Sequence, residues 1–395
     1  MDIKNICFLT AGQYPVPATE GGAVENLVEM LISQYELNQN NIAVDVISIQ
    51  SENAALKSRQ YSNTKFYYTK DTKWDRCVYP NIKRVIKKIF KIDPVCCSCY
   101  FNNALKLIKK KKYDIVIVEN KPQFILPLRA CFSGKVVLHL HNDTVSKEIP
   151  YAYKIVDKCD LIITVSDYIK KRVDEINKTS RPVVVLHNAI DCKLFTDTKY
   201  DEGIKEVLGI KDEFTILYVG RLVPDKGVDK LISAFVKLNN KRMKLVIVGG
   251  NSYSDSSTTS YIEQLKSIST SVSDRVKFVG YVDYRDISQY YHICDVAVFP
   301  SQWNEPAGLV VVEAQACGKP VIISNAGGMC EYVSQYSAIT IKRGTNFVDE
   351  LGKAINDIYL NPEKKFEMGL EAQKVAASFD VNGYFSRFLK CIECL

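Results

Sequence analysis

Two carboxylates, Glu305 and Glu313, lie on either side of a short turn segment between apolar runs. The run 295–299 predicts a buried strand, and the run 309–317 predicts a helix that ends at Gly318. Glu305 is then expected near the carboxyl end of a strand, and Glu313 one turn into the following helix. Acidic side chains in such a position can accept hydrogen bonds from the hydroxyl groups of a ligand.

The turn between these two carboxylates predicts a phosphate site. Open α/β sheets bind ligands outside the carboxyl ends of their strands, and a helix N-terminus offers unpaired N–H groups to an anion. One carboxylate can accept hydrogen bonds from both vicinal ribose hydroxyls, and the second can hold a sugar. The backbone between them, at Ala307, Gly308 and Leu309, would then hold the diphosphate of a nucleotide-sugar.

Two cations are candidates for binding the diphosphate of such a ligand, whose negative charge would grow if its bond to the sugar broke. Many enzymes that break such a bond use a metal held by an Asp-x-Asp motif, and this sequence contains no such motif. We therefore expect no metal and no other cofactor. Arg221, directly after a predicted strand, and Lys226 are expected to reach the same crevice as Glu305. The alternative for either cation is an ordinary solvated surface charge.

A glycine pair, Gly21 and Gly22, precedes a predicted amphipathic helix over 24–35. Such a pair lets the backbone approach a ligand closely, and the helix N-terminus directs partial positive charge toward it. The alternative is a simple tight turn, because the Gly-x-Gly-x-x-Gly pattern of dinucleotide sites is missing.

Two of the four histidines, His139 and His141, are close together near the end of a predicted strand over 136–140. Both side chains lie on the same face of an extended chain. His141 is nearer to the following loop, and His139 is expected to be buried. A histidine at the end of a strand often has a structural role. The residue type alone therefore does not decide between a structural role and a ligand contact.

Apolar, β-branched runs alternate with helical runs in two series, which indicates two parallel sheets covered on both faces. Each series predicts one Rossmann-like domain, and the charged segment 191–212 predicts the linker between them. The predicted strands of the two series are 3–10, 43–49, 115–118, 136–140, 161–164 and 183–186, then 215–219, 245–248, 276–279, 296–299, 321–323 and 338–341.

Five segments, in this order and spread over nearly the whole chain, resemble glycosyltransferase family 4. Any one of them would be weak evidence, whereas the ordered set is specific. They are Glu20-Gly-Gly-Ala-Val-Glu25, Leu138-His-Leu-His-Asn-Asp143, Leu217-Tyr-Val-Gly-Arg-Leu-Val-Pro-Asp-Lys-Gly227, Val246-Ile-Val-Gly-Gly250 and the motif that runs from Glu305 to Glu313.

The resemblance implies the α/β GT-B architecture, in which two Rossmann-like domains face a central cleft and a C-terminal helix returns to the first domain. We expect an acceptor-side domain over 1–190, a nucleotide-sugar-binding domain over 191–380 and the returning helix over 381–395.

The resemblance also implies a retaining glycosyltransferase of surface polysaccharide or glycolipid synthesis, with a glycan or lipid-linked saccharide as acceptor. His141 would lie beside the donor sugar, the loop at Gly21 would face the donor phosphates and the acceptor, and Arg221 with Lys226 would clamp the phosphates. Since no carboxylate is evident as a nucleophile, a front-face reaction is expected. Ala307 replaces the family's usual aromatic residue, so the resemblance does not predict the identity of the donor sugar.

The composition fits a soluble protein of two domains. Of the 395 residues, 47% are hydrophobic and 25% charged, and no apolar run reaches the roughly 18 residues that cross a bilayer. The 13 cysteines, among them Cys7, Cys131, Cys294 and Cys317, are interpreted as buried thiols in a reducing cytoplasm.

The segment 81–92 predicts a basic amphipathic helix, because apolar residues and cations alternate with helical spacing. Such a helix is drawn to anionic headgroups, so we expect peripheral binding at the inner face of the cell membrane. The alternative is a packed surface helix. A nucleic-acid partner is not expected, since no aromatic platform accompanies the cations. The cations are Lys83, Arg84, Lys87, Lys88 and Lys91.

Other functions remain compatible with the same fold. A non-catalytic assembly partner is one alternative, and a sugar-nucleotide epimerase or a glycan phosphorylase is another. The combination of Arg221, Lys226, Glu305 and Glu313 argues against an inactive site. Two Cys-x-x-Cys pairs, Cys96 with Cys99 and Cys391 with Cys394, lack zinc-ribbon spacing and predict no metal site.

Overall fold

The computed structural model describes residues 5–38, 42–70, 98–149, 151–197, 202–250, 259–393 and 395. The basic segment 81–92, Cys96 and Cys394 lie outside these residues. The chain divides into two units: the first comprises the described parts of 1–187 and 382–395, and the second those of 188–381.

The first unit is built on a parallel sheet. Its described residues form seven strands in the order β3-β2-β1-β4-β5-β6-β7. Both faces of such a sheet are covered, so its strands are rich in buried Val, Ile and Leu side chains. The strands are β1 Asn5–Leu9, β2 Ala43–Ile49, β3 Thr64–Thr69, β4 Ile115–Glu119, β5 Lys135–Leu140, β6 Leu161–Thr164 and β7 Val183–Val185.

Strand β3 was missing from the sequence prediction. Its sequence, Thr-Lys-Phe-Tyr-Tyr-Thr, is not a continuous apolar run, and four of its six residues are half-buried or exposed. Among the strands that the structure describes, it pairs with β2 alone, at the edge of the sheet. An edge strand has fewer neighbours to bury its side chains, so an apolar run is not required there.

The helices of the first unit include one from the C-terminus. In this helix Phe388 contacts Phe8 with ring centroids 5.6 Å apart, and Phe385 contacts Tyr35 at 5.7 Å. The expected return of the last helix to the first domain is therefore observed. The helices are α1 Ala23–Leu37, α2 Glu52–Lys57, α3 Cys99–Lys110, α4 Ile125–Arg129, α5 Ala152–Lys158, α6 Asp167–Asp174 and, at the C-terminus, α15 Tyr384–Ile392.

The second unit has a parallel sheet whose described residues form six strands in the order β10-β9-β8-β11-β12-β13. All six were predicted, with ends that differ by at most two residues. They are β8 Phe214–Val219, β9 Met243–Val248, β10 Val276–Gly280, β11 Val296–Phe299, β12 Val321–Ser324 and β13 Ala338–Ile341.

Helices cover this sheet on both sides, over two apolar clusters of buried side chains. The reversal of strand order between β8 and β11 gives the doubly wound pattern whose ligand sites lie at the carboxyl ends of strands. The helices are α7 Cys192–Thr196, α8 Glu202–Leu208, α9 Val228–Leu238, α10 Ser260–Ile268, α11 Ile287–Ile293, α12 Leu309–Ala316, α13 Phe347–Leu360 and α14 Pro362–Ala377.

The predicted linker over 191–212 is not an open connection where it is described. It contains α7 and α8, and Phe195 and Ile210 are buried in the core of the second unit. The prediction followed the segment's many charged residues, but a few apolar side chains suffice to anchor it. The change of unit falls earlier, between His187 and Asn188.

None of the described cysteines forms a disulfide bond. Cys7, Cys294 and Cys317 are buried, whereas Cys131 is only half-buried, contrary to expectation. Cys131 follows α4 in a turn, where less of its side chain is covered. Among the helices that the structure describes, none is both long and apolar enough to span a bilayer.

Candidate functional site

In the second unit, Lys226 and Glu305 form an ion pair although the sequence separates them widely. Lys226 Nζ donates to Glu305 Oε1 over 2.6 Å, and Ser301 Oγ donates to the same oxygen over 2.7 Å. Lys226 ends a single helical turn after β8, and Ser301 and Glu305 follow β11. Because β8 and β11 are neighbours, their carboxyl ends bring the cation and the carboxylate together.

The backbone of Glu305 is held by a second loop, which follows β12. Gly328 donates its N–H to the carbonyl of Glu305 over 2.7 Å, and Glu305 forms a β-bridge with Gly327. Gly327 has φ +60°, and a Cβ there would lie 2.5 Å from the Glu305 carbonyl oxygen. Only glycine fits such a position. This loop was not predicted, although its Gly-Gly pair after a predicted strand was a usable sequence signal.

Arg221 directly follows Gly220, the first residue after β8, and is exposed. Its carbonyl accepts a 2.8 Å hydrogen bond from Tyr218 Oη, which fixes the backbone at this point. The guanidinium makes no ion pair with any residue that the structure describes. An exposed guanidinium with this freedom can turn toward a phosphate without first breaking a salt bridge.

Glu313 is buried one turn into α12, with 5% of the residue exposed. Tyr291 Oη donates to its Oε2 over 3.0 Å. Burial raises the pKa of Glu313 to about 7, and the hydrogen bond from Tyr291 partly opposes that rise. A carboxylate held this way can accept further hydrogen bonds at its free lone pairs when it is ionised.

The start of α12 is an open helix N-terminus. Gly308 is the N-cap and supplies no side-chain cap, while its carbonyl accepts the N–H groups of Val311 and Val312. The N–H groups of Leu309 and Val310 then have no acceptor within the helix. Ala307 and Leu309 are partly buried against the apolar core. The turn therefore presents backbone donors between the two carboxylates, as a diphosphate requires.

In the first unit, the predicted glycine loop leads directly into α1. Gly21 and Gly22 have φ +84° and +97°, and Gly22 is the N-cap without a side-chain cap. A Cβ on Gly22 would collide with the carboxylate of Glu25 in the first turn of α1. Glu25 is buried, and this burial, with a contribution from the charge of Glu119, raises its pKa to about 7.

His141 and His139 both contact Glu119, a residue that was not among the predicted site residues. Nε2 of His141 lies 2.9 Å from Glu119 Oε2, and Nδ1 of His139 lies 3.1 Å from the same oxygen. Glu119 ends β4 and is paired in register with His139 of β5. His139 is fully buried, as expected, and His141 is 7% exposed. The sequence signal that could have identified Glu119 is the presence of an acidic residue at the end of an apolar strand.

These three side chains are close enough together to hold a metal ion. Metal-bound imidazoles normally donate their outer N–H to a carboxylate or carbonyl group. Here the outer nitrogens, Nε2 of His139 and Nδ1 of His141, are buried and have no such partner within the described residues. The group therefore fits a hydrogen-bonded array around Glu119 better than it fits a metal site.

The structure thus distributes the predicted residues over two clusters. Gly21, Gly22 and His141 belong to the first unit, and the others belong to the second. The members of the second cluster are Arg221, Lys226, Glu305, Ala307, Gly308, Leu309 and Glu313.

Comparison with known proteins gives matches over most of the chain. A family profile described as "Glycosyltransferase Family 4" matches residues 35–194, and one described as "Glycosyl transferases group 1" matches 201–375. The chain is 26% identical to YtcC of Bacillus subtilis (93% of this chain, 86% of YtcC). It is 25% identical to the lipopolysaccharide 1,2-N-acetylglucosaminetransferase of Salmonella typhimurium (90% of each). Among solved structures, Anabaena HepE in complex with UDP and glucose superposes with a TM-score of 0.75 at 20% identity, over 99% of this chain and all of HepE.

Proposed function

Because this chain belongs to glycosyltransferase family 4 and has the GT-B fold, we propose that it transfers a sugar, with retention of configuration, from a nucleotide-sugar donor to a saccharide acceptor. The observation that carries the proposal is the cluster at the carboxyl ends of β8 and β11. It joins Lys226, Glu305 and an open helix N-terminus within the second unit. Cation, carboxylate and unpaired N–H groups are the partners that a sugar diphosphate needs.

Each group has a distinct role in this proposal. Glu313 accepts hydrogen bonds from the ribose hydroxyls, and Glu305 holds the donor sugar. Lys226 and Arg221, together with the backbone at 307–309, bind the diphosphate. His141 contacts the donor sugar, and the loop at Gly21 and Gly22 binds near the phosphates and the acceptor.

The proposed reaction occurs at one face of the sugar. The bond between the anomeric carbon and the diphosphate oxygen breaks, and the acceptor hydroxyl oxygen forms a new bond to that carbon from the same side. The departing phosphate oxygen takes the hydroxyl proton. The protein contributes positioning and stabilises the diphosphate charge through Lys226 and Arg221, so no metal is required.

The similar proteins suggest which substrates to test. HepE was solved with UDP and glucose, and the Salmonella relative is named for transfer of N-acetylglucosamine to lipopolysaccharide. We therefore propose a UDP-sugar donor and a glycan or lipid-linked saccharide acceptor in surface polysaccharide or glycolipid synthesis.

Calorimetry with the purified protein tests this function. UDP, ADP, GDP and their sugars are titrated in turn, and the expected result is selective binding of one nucleoside diphosphate. Mass analysis of products then distinguishes the alternatives. A transferase adds sugar mass to an acceptor, an epimerase changes only the donor, and a phosphorylase requires inorganic phosphate. Binding of none of these nucleotides would contradict the proposal and favour a non-catalytic partner.

The basic segment 81–92 supports a second proposal, peripheral binding to an anionic membrane from the cytoplasm. Each cation near an anionic surface contributes about 1 kcal/mol of attraction. Changing Lys83, Arg84, Lys87 and Lys88 together to Glu should reduce co-sedimentation with anionic vesicles and leave transfer to a soluble acceptor unchanged. Equal pelleting of the parent and the variant would instead support an ordinary surface helix.

A further inference from the structure

Glu119 lies at the centre of a buried array that the proposed reaction does not yet explain. Its carboxylate is fully buried and contacts His139 and His141, whose ring centroids are 4.1 Å apart. Burial alone would raise the pKa of Glu119, but the contacts with the two histidines hold it at about 2. Glu119 is therefore ionised at neutral pH, and an ionised carboxylate can only accept hydrogen bonds.

This fact determines which nitrogen of His141 carries a proton. The nitrogen that faces Glu119, at 2.9 Å, is Nε2, so Nε2 must be the donor. Burial, followed by the nearby His139, lowers the pKa of His141 to about 4, so its ring is neutral at neutral pH. A neutral imidazole has only one N–H group. Nδ1 of His141 is consequently left with a lone pair.

We propose that Glu119 is a positioning residue that fixes His141 as the neutral tautomer protonated at Nε2, so that Nδ1 accepts a hydrogen bond from a ligand hydroxyl. Fixing a tautomer through the second ring nitrogen is a general role of carboxylates beside functional histidines. Register places Glu119 for this role, since it is paired with His139 and precedes Asn120, whose Oδ1 accepts the backbone N–H of His141 over 3.1 Å.

The unpaired Nδ1 of His141 indicates where the hydroxyl would bind. This atom is buried without a hydrogen-bond partner among the described residues. Leaving a buried polar atom unsatisfied costs about 1–3 kcal/mol, which a ligand hydroxyl can recover. His139 also has an unpaired nitrogen, but only 1% of its side chain is exposed, against 4% for His141. The assignment of this hydroxyl to the donor sugar rests on the proposed function. The assignment of the tautomer is independent of that function.

Nitrogen NMR of the full chain with ¹⁵N-labelled histidine rings tests the tautomer directly. At neutral pH, His141 should show a protonated Nε2 and an unprotonated Nδ1, with its signals assigned by their loss in His141→Asn. In Glu119→Gln both tautomers of His141 should be populated, because an amide can donate a hydrogen bond as well as accept one. The two His141 nitrogen signals should then move toward each other. His292, whose Nε2 faces the carbonyl of Phe195 at 2.8 Å in the other unit, should stay unchanged and is the internal control.

Several outcomes would overturn the proposal. These are an Nδ1-protonated or doubly protonated His141 in the parent, or His141 signals that Glu119→Gln leaves unchanged. Signals that shift when a chelator removes bound zinc would show a metal site instead. The parent spectrum decides the tautomer even if Glu119→Gln does not fold.

A ligand titration separates this proposal from the proposed function. UDP-glucose should shift the Nδ1 signal of His141, and UDP alone should not. Binding of UDP-glucose without that shift would contradict the hydroxyl contact. Failure of UDP-glucose to bind would contradict the donor assignment and leave the ligand-free tautomer result intact.

Discussion

The hydroxyl of Tyr291 lies 3.0 Å from Oε2 of Glu313 and 3.2 Å from the carbonyl oxygen of Val310. It thereby ties the buried carboxylate to the first turn of α12, beside the open helix N-terminus. Tyr291 itself is fully buried, so its hydroxyl cannot turn to solvent. The carboxylate proposed to bind ribose is thus held in place before any nucleotide arrives, which reduces the entropy lost on binding.

Nucleotide affinity should decrease as the pH falls below about 7. Burial raises the pKa of Glu313 to about 7, so the free carboxyl is mostly protonated at pH 6 and mostly ionised at pH 8. If ribose hydroxyls donate to the ionised form, affinity at pH 6 should be about tenfold lower than the plateau at higher pH. Calorimetry with the nucleoside diphosphate from pH 6 to 8 measures this.

Glu313→Gln is the control for that pH series, because phosphate groups also titrate near pH 6. The variant should bind more weakly at pH 8, and only the phosphate contribution should remain in its pH dependence. If the parent and the variant give the same pH profile, Glu313 is not the group that titrates.

Tyr291→Phe should move the midpoint of the same pH profile upward. The hydrogen bond from Tyr291 lowers the pKa of Glu313, so its removal raises that pKa further. At pH 7 the variant should bind nucleotide more weakly than the parent, and at pH 9 the difference should shrink. An unchanged midpoint would show that the hydroxyl does not influence the carboxylate in solution.

The fold could be predicted well because most strands are continuous apolar runs. Strand β3 was missed since an edge strand tolerates half-exposed polar and aromatic side chains. Helices α7 and α8 were mistaken for a linker because Phe195 and Ile210, which anchor the segment to the core, are isolated among charged residues. Composition averaged over a segment does not reveal that a single aromatic residue is buried.

The sequence predicted only those site residues that belong to recognisable motifs. Lys226 and Glu305 were assigned to one crevice from the rule for strand ends, and the structure brings them into contact. Their partners were not predictable in this way. Tyr291 reaches Glu313 from another helix, and Glu119 reaches His141 from a neighbouring strand. Such pairs depend on sheet register and helix packing, which spacing along the chain does not specify.

Lys226→Ala should weaken binding of the nucleoside diphosphate by roughly 10- to 150-fold, which corresponds to a lost charge-assisted contact of about 1.5–3 kcal/mol. Lys237→Ala is the matched control. Lys237 belongs to the same unit and also pairs with a carboxylate at 2.6 Å, that of Asp349, but both side chains are exposed. Exposed pairs contribute little, so Lys237→Ala should bind as the parent does. Equal affinity of both variants in calorimetry would remove Lys226 from the diphosphate site.

Transfer should continue in excess EDTA. The sequence has no Asp-x-Asp motif, and the proposed neutralisation of the diphosphate depends on Lys226 and Arg221. Initial rates measured with and without the chelator should agree. Loss of turnover in EDTA that magnesium or manganese restores would replace this mechanism with a metal-dependent one.

Gly327→Ala should disturb Glu305 although it changes no charged group. Gly327 has φ +60°, and an added Cβ would lie 2.5 Å from the carbonyl oxygen of Glu305, so the bridge between the two loops must move. Strain of this kind costs about 1–3 kcal/mol. We therefore expect a lower melting temperature and weaker binding of the sugar nucleotide, with the larger loss for the sugar nucleotide than for the nucleoside diphosphate. Gly344→Ala is the matched control, because a Cβ at that exposed glycine meets no atom within 4 Å. Calorimetric titrations and thermal melts of both variants decide the matter: a Gly327→Ala protein that melts and binds like Gly344→Ala would show that the loop after β12 does not hold Glu305 in place.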